Sequence, residues 1–144
     1  MPALPEAERT RLQAAYRATT YRIHAPAGDI DLHLDEPSPP FAALLHSEGV
    51  AHWAILTACN PASQLQDPAA NAEAQARLQQ WLDARGYRWL AGESRANAGD
   101  WPQEASFAVL GLPVAAAQQC GASFGQNAIV IGDSEATPRL LWCR

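Results

Sequence analysis

His52 to Asn60 reads HWAILTACN, and how this stretch is placed decides the fold. Side chains alternate across a strand, so Trp53, Ile55, Thr57 and Cys59 share one face and His52, Ala54, Leu56, Ala58 and Asn60 the other. Neither face is strongly polar, and a strand of that kind belongs in the interior of a sheet, covered on both sides. The strand is expected over His52 to Cys59.

Downstream, Asp67 and Pro68 give N-cap and first-turn signals. Ala74, Leu78, Trp81 and Leu82 then form an i, i+4, i+7, i+8 stripe, closed by Gly86. Tyr87 to Ala91 is a strand, Glu93 to Glu104 a long polar loop, and SFAVLGL, residues 106–112, another strand. Pro113 opens a helix that Gly125 closes, followed by the strand NAIVIG, residues 127–132, and a last strand RLLWC, residues 139–143. From His52 onward the order is strand, helix, strand, strand, helix, strand, which predicts an α+β fold with a ferredoxin-like βαββαβ core and an antiparallel sheet. In that topology the first core strand lies between the third and fourth, antiparallel to both.

Upstream of the core, Pro5 to Ala18 is expected as an amphipathic helix with Leu12, Ala15 and Tyr16 inward. Thr20 to His24 and Ile30 to Leu34 alternate as a hairpin around APAGD, and FAALLHSEG is a short helix stopped by Gly49. The 144 residues are expected to form a single domain, with residues 1–50 added to a core of residues 51–144. A chain of this length buries roughly 70% of its unfolded surface, enough for a core without metal or disulfide.

Composition narrows the function. Net charge is −5, and all ten cations are arginines, scattered from Arg9 to Arg144, so there is no basic stripe to neutralise phosphates and nucleic acid is excluded as a partner. Lysine is absent, which removes Schiff-base chemistry. No apolar run approaches the roughly 20 residues of a membrane span, and the start turns acidic too soon for a secretory signal. A cytoplasmic protein without membrane contact is expected. Cys59, Cys120 and Cys143 have no metal-ligand spacing and are read as reduced. His24 and His33 can be neighbours on the hairpin, but Asp31 and Asp35 on the same side make a solvated surface the better reading, so no metal site is expected. No dinucleotide, Walker or nucleophile-elbow motif is present, and no cofactor is expected.

The predicted topology has a consequence for the polar residues. Asn60 ends the first core strand, Glu104 and Ser106 begin the third, and Gln126 and Asn127 begin the fourth, so all five should meet at one edge of the sheet, covered by the loop from Glu93 to Trp101. Side-chain amides are costly to bury unless their donors and acceptors find partners. These groups should therefore satisfy one another or a ligand.

The segments ILTACNPAS, the asparagine of ANAEAQARL, DWPQEASFAVLGL and FGQNAIVIG, in this order and spacing, resemble a family of small bacterial proteins catalogued as a domain of unknown function. The resemblance runs from about Tyr16 onward and brings no activity. It implies that Asn60, Pro61, Asn71, Trp101, Glu104, Ser106, Gln126 and Asn127 occupy recurring positions, and that a cysteine at Cys59 is not required.

Each candidate has a structural alternative. Asn60 before Pro61 is a common turn starter, Glu104 can simply pair with an arginine or backbone amides, and Trp101 is more often a core anchor than a stacking platform. Gln126 and Asn127 are the least easily explained by the fold alone. Cys59 is expected to be a buried, inert thiol, because His52 points to the other face of its strand. Three functions stay open: a small-molecule-binding or sensing domain using Asn60, Trp101, Glu104, Ser106, Gln126 and Asn127; an enzyme with Glu104 as general acid or base; and a protein-interaction module whose polar network only holds its loops.

Overall fold

The computed structural model describes residues 2–144. Its elements run α1 (Glu6–Arg17), β1 (Thr19–Ala25), β2 (Gly28–Leu32), α2 (Pro39–Glu48), β3 (His52–Leu56), α3 (Pro68–Ala84), β4 (Arg88–Ala96), β5 (Glu104–Leu110), α4 (Val114–Ser123), β6 (Ala128–Asp133) and β7 (Arg139–Trp142), with one 3-10 turn at Pro61–Ser63. The seven strands form one sheet in the order β2-β1-β4-β5-β3-β6-β7, and every pairing is antiparallel. The fold is α+β. β3 lies between β5 and β6, as its two apolar faces required.

Those two faces serve two cores. Ala54, Leu56 and Ala58 join Phe107, Val109, Ile129 and Ile131 beneath the α3 stripe of Ala74, Leu78 and Leu82 and beneath Ala117 and Cys120 of α4. Trp53 and Ile55 face the other way, with Tyr21, Ile23, Leu32, Val130 and the α2 residues Phe41 and Leu45. Phe41 meets Trp53 edge-on at 4.9 Å, a geometry that aromatic quadrupoles favour. Trp81 is only partly buried, packed at the edge of the helix-covered core.

Several boundaries differ from expectation: β2 and β5 each lie two residues earlier than expected, at Gly28–Leu32 and Glu104–Leu110, and two further shifts bear on the site. β3 stops at Leu56, because the Thr57 hydroxyl donates to Ala105 O at 2.8 Å and takes over the edge where the ladder would continue. β4 runs on to Ala96, so the expected loop of residues 93–104 shrinks to residues 97–103. The polar run Glu93-Ser94-Arg95 is strand because both of its edges are paired, to β1 through Arg22↔Glu93 and to β5 through Glu93↔Ala105. Gly92 permits that pairing: a Cβ there would lie 2.1 Å from Arg22 O. The hairpin is thereby joined to the same sheet as the strands that follow.

Candidate functional site

A cavity of about 280 Å³ lies between α1 and the sheet face opposite α3 and α4. Leu12, Ala15 and Tyr16 of α1 roof it, Ile55, Ala128, Val130 and Leu140 floor it, and Trp101 stands at its side. Six strands contribute lining residues, all but β2. Flat, six strands would spread over about 24 Å at the usual spacing near 4.8 Å, so the sheet must curl around the space.

Strand alternation places the polar end. Glu104 and Ser106 continue the face of Ala108 and Leu110, and Gln126 continues that of Ala128 and Val130. Asn60 arrives differently. It takes a left-handed backbone, φ 46° and ψ 62°, which turns it out of the β3 alternation and onto the side of Cys59, where it too lines the cavity. Ala62 and Ser63 also have positive φ, 59° and 57°. Such conformations cost of order 1 kcal/mol each in L-residues and persist where the surroundings over-determine them.

Asn71 on α3 supplies much of that determination. Its Oδ1 accepts from Asn60 N at 2.8 Å and its Nδ2 donates to Asn60 Oδ1 at 2.9 Å. Gln66 N donates to the same Asn60 oxygen, also at 2.9 Å. The remaining group of the Asn60 amide, Nδ2, donates to Glu104 Oε2 at 2.7 Å. From the other side Ala62 N bonds Gly125 O at 2.8 Å, and Gly125 must be glycine: φ is +74° and a Cβ would lie 2.8 Å from that of Pro61. Asn60 is therefore a clamp that aims Glu104.

Gln126 is held by its nitrogen. Nε2 donates to Cys59 O at 3.1 Å and to Phe124 O at 3.4 Å. Two carbonyls on one side fix which end of the amide is the nitrogen, so the oxygen is the end left for the cavity. The residue is only 8% exposed.

Glu104 Oε2 accepts from Asn60 and, at 3.0 Å, from Trp101 Nε1. Among the described residues no arginine or histidine forms an ion pair with it. Burial pushes its carboxyl above the ordinary range, with the Asn60 and Trp101 hydrogen bonds working against the rise. The Cys59 thiol shares the cavity, and burial pushes it up, the charge of Glu104 adding to the effect. Burial first, and the Glu104 charge after it, thus disfavour the thiolate. All three cysteines are free.

Of the six residues expected at the site, Asn60, Trp101, Glu104, Ser106 and Gln126 line this one space. Asn127 does not. Its amide is spent beside the cavity and not in its wall: Nδ2 donates to Ser63 Oγ, itself a lining group, at 2.9 Å, and Oδ1 accepts from Arg144 at 3.0 Å. Trp101 is 40% exposed at the wall of the cavity and is no core anchor. The cover also differs: it is α1 together with residues 97–103, while Glu93 lies within β4. Sequence reasoning missed Tyr16, Thr57, Ser63 and Ser94 as lining residues. Tyr16 had a signal, since it belongs to the apolar stripe of α1; Ser63 and Ser94 had none.

No curated protein and no solved structure matches the chain. Residues 56–129, just over half of the chain, match the model of a family described as "Protein of unknown function (DUF3293)". That segment carries Asn60, Asn71, Trp101, Glu104, Ser106, Gln126 and Asn127, whereas α1, which roofs the cavity, lies outside it. The chain belongs to the DUF3293 family.

Proposed function

We propose that the chain binds a small organic molecule in the cavity beneath α1. Gln126 carries this reading. Its nitrogen is doubly committed to the backbone, and its oxygen, which has no protein partner among the described residues and stays open to solvent, is the group left to face the cavity. Polar groups that converge on a pocket are what orients a ligand in it. A ligand bringing a donor would bond the Gln126 oxygen.

The test is a thermal-shift screen of a metabolite library on the wild-type protein and on Ala128→Leu, which places a larger side chain on the cavity floor. A true ligand at 100 times its dissociation constant stabilises the wild type by about 2.7 kcal/mol. The variant should keep its fold and lose the response. Ligands that stabilise both proteins equally would show binding elsewhere and remove the cavity reading.

Catalysis by Glu104 as a general acid or base is the second reading, favoured by the raised carboxyl facing that same space. An interaction module has less support: the large exposed apolar side chains, Leu65, Trp101 and Val114, belong to three different segments. For the architecture, the strand order β4-β5-β3-β6 with α3 and α4 on one face supports reading residues 52–133 as a ferredoxin-like βαββαβ unit.

A further inference from the structure

We propose that the ligand is a small organic cation, an amine or amidinium on a flat apolar body, with Glu104 as its counter-ion and Gln126 as a second acceptor. The inference rests on the cavity reading above and deepens it. Two independent observations point to a cation.

The first is the solitary carboxyl. Glu104 is partly buried, and an acid drawn out of water gains from a partner, because removing a charge from water is costly. Glu104 has neutral donors on Oε2, and Oε1 accepts no hydrogen bond among the described residues. Arg11, at the α1 side of the cavity, instead lies 3.8 Å from Glu8. Among the described residues no cation is paired with Glu104.

The second is the fixed orientation of Gln126. With Nε2 spent on Cys59 O and Phe124 O, the amide offers only its oxygen. Carboxylate and amide oxygens together ask for a group with several N–H donors, and they repel an anion. Trp101 and Tyr16 supply aromatic surface for a flat body and for its charge. A volume near 280 Å³ suits a ligand of one ring.

Titration should then report on Glu104. The other ionisable groups around it are Tyr16 on α1, Tyr21 on β1 and Cys59 beyond β3, and all three are raised above their ordinary values, chiefly by burial. They stay neutral at working pH. Binding of a cation should therefore weaken as Glu104 protonates.

The experiment uses three compounds that share one ring: benzamidine, benzamide and benzoate, titrated calorimetrically into the full chain. Benzamidine is expected to bind, with benzoate at least about tenfold weaker, a difference of about 1.4 kcal/mol. Lowering the pH from about 8 to about 5 should reduce benzamidine affinity and leave benzamide unchanged. Glu104→Gln should abolish the preference, since glutamine can still accept from Asn60 and Trp101 but carries no charge; the wild-type pH series decides the matter if that variant does not fold. Benzamide or benzoate binding as tightly as benzamidine, sensitive to Ala128→Leu, would overturn the cation and leave the cavity reading standing. No binding by any of the three would also overturn the cation, and the cavity reading would then stand or fall on the library screen.

Discussion

Glu104 at the polar end of the cavity and Asn71 behind it make separable predictions. Glu104 titrates above its ordinary value in the folded protein, so between the two values the native state holds more protons than the unfolded one. Stability should therefore fall as pH rises through the window just above the ordinary carboxylate range, and be recovered as pH is lowered. Glu104→Gln should flatten that part of a melting-temperature profile against pH, and an unchanged profile would show the carboxyl to be freely solvated. Asn71 is the contrasting case, because it touches the backbone and side chain of Asn60 and lies outside the cavity lining. Asn71→Ala should cost roughly 1 to 3 kcal/mol in urea unfolding, by leaving buried partners of the clamp unsatisfied. Asparagine types at 60 and 71 were visible in the sequence, but their mutual bonding was not: nothing in an Asn-Pro pair says that the turn will be left-handed and tied to a helix eleven positions on.

Among the elements, those with strong apolar periodicity were legible and those held by pairing were not. α3 and β3 lie where their stripes place them, because each apolar face has one way to be buried. The second half of β4 reads as loop, since Glu93 and Arg95 look outward and its inward residues Gly92, Ser94 and Ala96 are small. Its strand character comes from β1 and β5 on either side. Gly92→Ala is the direct probe of that join. The added Cβ would meet Arg22 O, a backbone atom that no rotamer change can move, so the cost should equal or exceed the roughly 1 to 3 kcal/mol of ordinary overpacking. Hydrogen exchange should show β1 and β2 losing protection before β3, β5 and β6. Uniform loss across the sheet would mean that the hairpin is not a separable unit.

For the whole molecule, strand order brought Asn60, Glu104, Ser106 and Gln126 to one place as the sequence implied, although they come from three separate segments of the chain. What the sequence could not convey was the curl of the sheet and therefore the interior space, because curvature follows from how all the strands pack and not from any one of them. Nor did it reveal that α1 closes that space. The roof is fastened far along the chain: Arg9 donates to Arg144 O at 2.7 Å across 135 positions and lies 4.8 Å over the Trp142 ring, while Tyr16 meets the same tryptophan edge-on at 6.1 Å. A ribosome releases α1 long before it has made β7, so during synthesis this helix waits with Leu12 and Tyr16 exposed and nothing to seat against. An isolated helix of twelve residues is barely stable in water. The nascent segment thus has no apolar face to pack on, and the cavity is roofed only when β7 and Arg144 arrive.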